Sequence, residues 1–273
     1  MSAPTPLAAV LGDPIGHSRS PRLHAHWLAR YGLRGHYVPL HVRPADLAET
    51  LALLPRLAFV GCNVTIPHKE AALAMAGEAD PTARRIGAAN TLTFRHGTIM
   101  AENTDAHGFL ANLRQGAPGW DAGRPAVLLG AGGAARAAAV ALLDAGVPEI
   151  RVVNRTLPRA RALEELDDRI TAVEWSAVGD ALRGASLLAN TTSLGMTGQP
   201  PLEIDLRTLP DDAVVTDAVY APLVTPLLAA AAERGLATVD GLGMLLHQAA
   251  PGFARWFGRM PEVDEALRRA VLA

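Results

Sequence analysis

Short apolar runs alternate with segments of helical spacing along nearly the whole chain, which is the pattern of an α/β protein. In the first third, "LAAVLG" (7–12), "GHYVPLHV" (35–42) and "LAFVGCNVT" (57–65) are predicted strands. Between them, "SPRLHAHWLARYG" (20–32) and "ADLAETLALLPRL" (45–57) carry helical spacing. "TLTFRHGTIMAENTD" (91–105) predicts two strands joined at His96-Gly97, a hairpin signal. A second series begins near Pro125. "AVLLG" runs into a glycine-rich turn, then the helix "AARAAAVALLDAG" and the strand "EIRVVNR". Strands are expected again at "ITAVEW", "ASLLANTT", "AVVTDAV" and "ATVD", and the last stretch, "MLLHQAAPGFARWFG" and "PEVDEALRRAVLA", is expected to be helical. No repeat or low-complexity linker marks a domain boundary, so motifs place it near residue 105.

The 273 residues suffice for one large or two medium domains. With 49% hydrophobic and 19% charged residues, the composition is that of a soluble globular protein. A net charge of −2 recommends neither nucleic acid nor an anionic membrane as partner. Cys62 is the sole cysteine, which excludes intramolecular disulfides and thiolate metal clusters, and no metal is expected. The N-terminal residues lack a basic segment followed by an apolar one, and no uncharged apolar run approaches the ~18 residues of a membrane span. A cytoplasmic location is the expectation.

"VLLGAGGAARA" has the form G-x-G-x-x-A, with Gly130, Gly132 and Ala135 between a strand and a helix. Glycines there permit a tight turn and close approach of a pyrophosphate, which rests on the positive helix N-terminus. The end of the next strand discriminates between dinucleotides. An acidic residue there suits the ribose hydroxyl of NAD. This chain instead carries Asn154, Arg155, Thr156 and, one turn on, Arg159. Two guanidiniums and a hydroxyl suit a 2′-phosphate, so NADP(H) is favoured.

Polar residues of the first third gather at predicted strand ends: Ser18 and Ser20, Asn63 and Thr65, Asn90 and Thr91, Asn103 and Asp105. Ligands of open α/β sheets collect at such ends, and hydroxyls and amides suit a polyol. Any one of these residues could instead cap a helix, as Ser20 before Pro21 could. Lys69 stands apart. The chain has 25 basic residues, and Lys69 is its only lysine. A lysine can release a proton where arginine cannot. With Asp105 it forms the pair able to stabilise and protonate the alkoxide that develops when hydride reduces a ketone.

These motifs closely resemble the shikimate dehydrogenase family. Nine of them follow the family's order, from "GDPIGHSRSPRLH", "NVTIPHK", "GAANTL" and "NTDAHGF" through "GAGGAARA" and "NRTLPR" to "NTTSLGM", "DAVYAPLVTPLL" and "DGLGMLLHQAAPGF". The resemblance implies an α/β fold of two domains. A substrate domain would comprise 1–105 completed by the C-terminal helices (241–273), and a Rossmann-like NADP domain would span 106–240. It implies reversible NADP-dependent interconversion of 3-dehydroshikimate and shikimate, on the route to chorismate and the aromatic amino acids.

By motif, Ser18 and Ser20 would bind the substrate carboxylate, and Asn63, Thr65, Asn90, Asp105 and Gln248 its hydroxyls. Lys69 and Asp105 would be the catalytic pair, and Tyr220 would reach the substrate region. Gly130, Ala131, Gly132, Gly133, Ala134 and Ala135 would hold the cofactor with Asn154, Arg155, Thr156 and Arg159. Thr191, Met196, Gly241 and Met244 would complete its pocket. Ala25, Cys62 and Ala89 depart from residues common in the family at positions concerned with packing. The paired serines of "SRS" favour shikimate over quinate. Rival expectations are a quinate/shikimate or amino-shikimate enzyme preferring NAD, a folate-dependent dehydrogenase, and a non-catalytic NADP(H) sensor. A monomer or homodimer is expected.

Overall fold

The computed structural model describes residues 4–273. Its contacts divide the chain into two units: the chain up to Thr104 together with Leu245–Ala273, and Asp105–Met244. In the first unit, β1 (Leu7–Gly12), β2 (His36–His41), β3 (Phe59–Val64), β4 (Glu78–Ala79), β5 (Thr91–Arg95) and β6 (Thr98–Glu102) form one sheet in the order β2-β1-β3-β5-β6-β4. β1 pairs in parallel with β2 and β3, whereas β5 runs antiparallel to β3 and β6. Most of β1 and the second half of β3 are buried, which is why they read as nearly unbroken apolar runs. The expected hairpin forms, and both of its turn residues are left-handed, His96 at φ 50° and Gly97 at φ 77°.

The face of this sheet bearing Leu11, Val64 and Leu92 packs on Leu47, Leu51 and Leu54. An aromatic layer built from the helices Ser20–Arg30 and Leu242–Phe257 contributes Trp27, Phe253, Trp256 and Phe257, packed about His24 and Tyr37. Trp27 and Phe253 are fully buried. Burying a side chain such as Phe253 contributes about 1.5–3 kcal/mol. Gly61 admits this layer. A Cβ there would lie 2.1 Å from Trp256 Nε1 and 2.3 Å from the Leu92 carbonyl, which accepts the Trp256 indole N–H at 3.1 Å.

In the second unit β7 (Ala126–Leu129), β8 (Ile150–Asn154), β9 (Ile170–Glu174), β10 (Leu187–Asn190), β11 (Val214–Asp217) and β12 (Ala237–Val239) are all parallel, in the order β12-β11-β10-β7-β8-β9. This is the doubly wound order of dinucleotide-binding sheets, and the direction of winding reverses between β7 and β10.

Several details differ from the sequence expectation. The helical spacing of 45–57 is broken into a helix, Leu47–Leu53, and a tight 3₁₀ turn, Leu54–Leu57, that contains Pro55 and ends at left-handed Ala58. In 261–273 the helix starts only at Glu265, where the Asp264 carboxylate accepts the Leu267 N–H at 2.9 Å. Lys69–Ala74, Pro81–Ile86 and Asp105–Gly116 are helices that the apolar spacing alone did not mark.

Candidate active site

The pairing of β3 with β5 places Asn63 opposite Thr91, and Thr91 lies opposite Glu102 on β6. One end of the sheet therefore collects Asn63, Asn90, Thr91, Asn103 and Thr104, all of them buried. They are satisfied chiefly by one another. Asn63 Nδ2 donates to the Asn90 carbonyl and to Thr91 Oγ1, both at 3.0 Å. Asn90 Oδ1 accepts from the Thr104 backbone N–H at 2.8 Å, and Asn90 Nδ2 donates to Gln248 Oε1 at 3.1 Å. Asn103 Nδ2 donates to the Ala88 carbonyl at 2.8 Å. Gln248 reaches this network from the helix Leu242–Phe257, 158 positions beyond Asn90 in the chain.

Ser18 and Ser20 sit at the start of the first helix. Ser20 is not its cap: the buried Ser20 donates its backbone N–H to Ser18 Oγ at 3.3 Å. Thr65 and Lys69 are half-buried and flank the turn after β3. Backbone bonds from Thr65 N–H to the Leu11 carbonyl and from His68 N–H to the Thr65 carbonyl shape that turn. The buried His68 ring bonds the Val42 carbonyl through Nε2 at 2.7 Å. Lys69 then opens the helix Lys69–Ala74, and its carbonyl accepts the Ala89 N–H at 2.9 Å. Asn63, Asn90 and Gln248 thus belong to one hydrogen-bonded cluster, and Lys69 lies six positions past Asn63. Asp105 belongs to the second unit, as the buried first residue of the helix Asp105–Gly116.

In the second unit the glycine-rich turn occupies the reversal point. Gly130 follows β7 at φ +106°, and a Cβ there would lie 2.9 Å from Thr191 Oγ1. The Thr191 hydroxyl donates to the Leu129 carbonyl at 2.6 Å, tying the loop after β10 to the end of β7. Gly132 and Gly133 are exposed with open space above them, and the 12-residue helix Gly133–Asp144 begins there. Ala131 and Ala134 are half-buried, whereas Ala135 is fully buried. At the end of β8, Asn154 Nδ2 donates to the Thr156 carbonyl at 2.9 Å, and Arg155, Thr156 and Arg159 are exposed. A bare helix N-terminus, open glycines and two exposed guanidiniums after β8 fit a dinucleotide bearing an extra phosphate. Met196 is exposed, Tyr220 and Met244 are half-buried, and Gly241 is buried.

Sequence reasoning missed a polar knot here. Asp217, at the end of β11, accepts from Asn190 Nδ2 at 2.9 Å, the Val219 N–H at 2.9 Å and Thr225 Oγ1 at 2.7 Å. Burial raises its carboxyl pKa, and these three donors work against the rise. Asn190 Oδ1 in turn holds the Thr192 backbone N–H and hydroxyl. The Thr197 N–H donates to the Ala221 carbonyl at 2.8 Å, so the loops carrying Thr191, Met196 and Tyr220 are fastened together. "NTT" and "DAVYAPLVTP" contain these residues, and their position at strand ends was the available signal. Tyr37 was also missed. Alternation in β2 turns it inward, and a buried tyrosine hydroxyl needs a partner.

A doubly wound dinucleotide-binding unit joined to a second α/β unit with a polyol-type polar cluster defines a two-domain nicotinamide-dependent oxidoreductase. Three family descriptions match the chain: the shikimate dehydrogenase substrate binding domain over residues 10–92, shikimate/quinate 5-dehydrogenase over 119–194, and the shikimate 5′-dehydrogenase C-terminal domain over 241–272. Shikimate dehydrogenase (NADP(+)) of Paracoccus denitrificans is 57% identical over 272 residues, covering 98% of this chain and 96% of that protein. The structure of shikimate 5-dehydrogenase from Thermus thermophilus in complex with NADP(H) and shikimate is 41% identical. It has a TM-score of 0.87 and covers 97% of this chain and 99% of that one. Quinate dehydrogenase from Corynebacterium glutamicum in complex with NAD is 31% identical, with a TM-score of 0.92 over 98% of this chain and 99% of that one. The chain belongs to the shikimate dehydrogenase family. Among the described residues, no helix is long and apolar enough to cross a membrane.

Proposed function

We propose that this protein interconverts 3-dehydroshikimate and shikimate with NADP(H), using Lys69 as the acid/base with the support of Asp105. The observation that carries the reading is the joining of Asn63, Asn90 and Gln248 in one cluster at the sheet end from which Lys69 follows. Amides and hydroxyls held by one another present fixed donors and acceptors to a ring polyol, and such pre-set contacts act by orientation. Ser18 and Ser20 hold the substrate carboxylate, while Thr65, Tyr220 and the asparagines hold the rest of the ring.

Gly130 to Ala135, Asn154, Arg155, Thr156 and Arg159 hold NADP(H), with Thr191, Met196, Gly241 and Met244 along its nicotinamide end. The bound cofactor supplies or accepts the hydride. Lys69 stabilises and protonates the substrate oxygen in the reductive direction and receives that proton in the oxidative one. A guanidinium in its place keeps the charge but holds its protons too tightly for this work.

The test is steady-state kinetics on Lys69→Arg and Lys69→Ala, following NADPH formation with shikimate. Both variants should lose about 10²-fold or more in kcat, the range for a positioned general acid or base, while KM changes little. Near-normal kcat in Lys69→Arg would sink the proton-transfer role. Parallel assays with quinate and with NAD settle the substrate and cofactor preference. The solved relative that combines quinate activity with NAD makes that arm necessary.

A further inference from the structure

We infer that Tyr37 is a positioning residue for the substrate pocket, fixing the oxygen of Asn63, an amide whose own N–H groups are used up, so that it accepts a hydrogen bond from the substrate. This rests on the reading of Asn63 as a substrate contact. The Tyr37 hydroxyl donates to Asn63 Oδ1 at 2.7 Å, a buried side-chain bond. Both hydrogens of Asn63 Nδ2 are taken, one by the Asn90 carbonyl and one by Thr91 Oγ1. The amide cannot be turned over, because its oxygen would then face the Asn90 carbonyl, an acceptor with no proton to give. What Asn63 retains is one lone pair on Oδ1. The substrate group that meets it must therefore be a donor, a ring hydroxyl rather than a ketone or ether oxygen.

Tyr37 is held in plane by His24, whose ring stacks on it at 3.8 Å between centroids and 6° between planes. Burial keeps the phenol far from ionising, so it remains a donor.

Tyr37→Phe retains the stack and removes the donor. The amide of Asn63 then loses one of its fixed partners, and its oxygen is held less firmly toward the substrate hydroxyl. The experiment compares Tyr37→Phe, Asn63→Ala and the double variant for KM and kcat with shikimate and with NADP, alongside thermal melting. Asn63→Ala should raise KM for shikimate and leave KM for NADP alone; if shikimate KM does not move, the substrate-site reading itself fails, whatever Tyr37 does. Tyr37→Phe should raise shikimate KM about 10-fold, the effect of one lost buried hydrogen bond, with NADP KM within about twofold. The double variant should be no worse than Asn63→Ala, because Tyr37 acts through Asn63.

Two results overturn the inference while leaving the site intact. In one, shikimate KM is unchanged in Tyr37→Phe although Asn63→Ala raises it. In the other, the two losses multiply in the double variant. Shikimate binding by calorimetry at about 10 °C gives the same comparison if Tyr37→Phe melts near the assay temperature.

Discussion

His24 makes the stability of this protein depend on pH in a way that one substitution can isolate. Its ring is fully buried in the aromatic layer, and neither ring nitrogen has a hydrogen-bond partner. Burial lowers its pKa from 6.5 to about 3. In the unfolded chain the imidazole takes up a proton as pH falls through 6.5, whereas the folded protein refuses it until about pH 3. The unfolded state therefore binds more protons in that window, and folding stability falls as pH falls, by about 1.4 kcal/mol per unit from this residue.

Two units below 6.5, at pH 4.5, the loss is about 2.7 kcal/mol, a large share of a typical folding free energy. His24→Phe removes the titrating group and its two orphaned nitrogens while keeping a ring against Tyr37. Urea unfolding of both proteins from pH 7.5 to 4.5, followed by tryptophan fluorescence, measures the difference. Trp27 and Trp256 report directly, each with its ring centroid 5.8 Å from that of His24. Wild type should lose about 2.7 kcal/mol more than the variant over this range. Parallel stability curves for the two proteins would refute the reasoning.

Further tests concern the cofactor and the packing. Replacing Arg155 and Arg159 together by alanine should raise KM for NADP by about 10-fold or more and leave KM for NAD nearly unchanged if, as proposed, these guanidiniums hold the extra phosphate. Gly61→Ala should destabilise by about 3 kcal/mol or more in chemical unfolding, because the new Cβ meets backbone oxygen as well as the Trp256 ring. Gly119→Ala, where a Cβ meets nothing within 4 Å, should change stability little.

The parallel cores were legible in the sequence because strands buried on both faces write unbroken apolar runs, as "AVLL" and "LLAN" do. The turn at Gly130 was legible because its chemistry is local, with strand, glycines and helix close together in the chain. Asn63, Asn90 and Gln248 could be named from motifs. Their bonds to one another could not, because Asn90 and Gln248 meet across 158 positions. Tyr37 and His24 escaped for a related reason. Each looks like an ordinary member of a strand or helix, and its significance arises only when β2, β1 and β3 are assembled into one sheet with the first helix packed on it. The Asp217 knot was hidden because apolar periodicity says nothing about which strand-end polar groups will be buried together.

The tryptophan that fits over Gly61 comes from residue 256, near the chain's end, and this orders events on the ribosome. The strands up to Thr104 emerge first, yet Phe253, Trp256 and Gln248, which cover one face and close its polar network, are synthesised last. The intervening residues 105–244 carry a complete sheet and can finish folding during translation. The nascent substrate unit must wait with an apolar surface uncovered. Translation ending before Trp256 and Phe253 are made would release a protein whose nucleotide-binding half is whole and whose other half needs a chaperone.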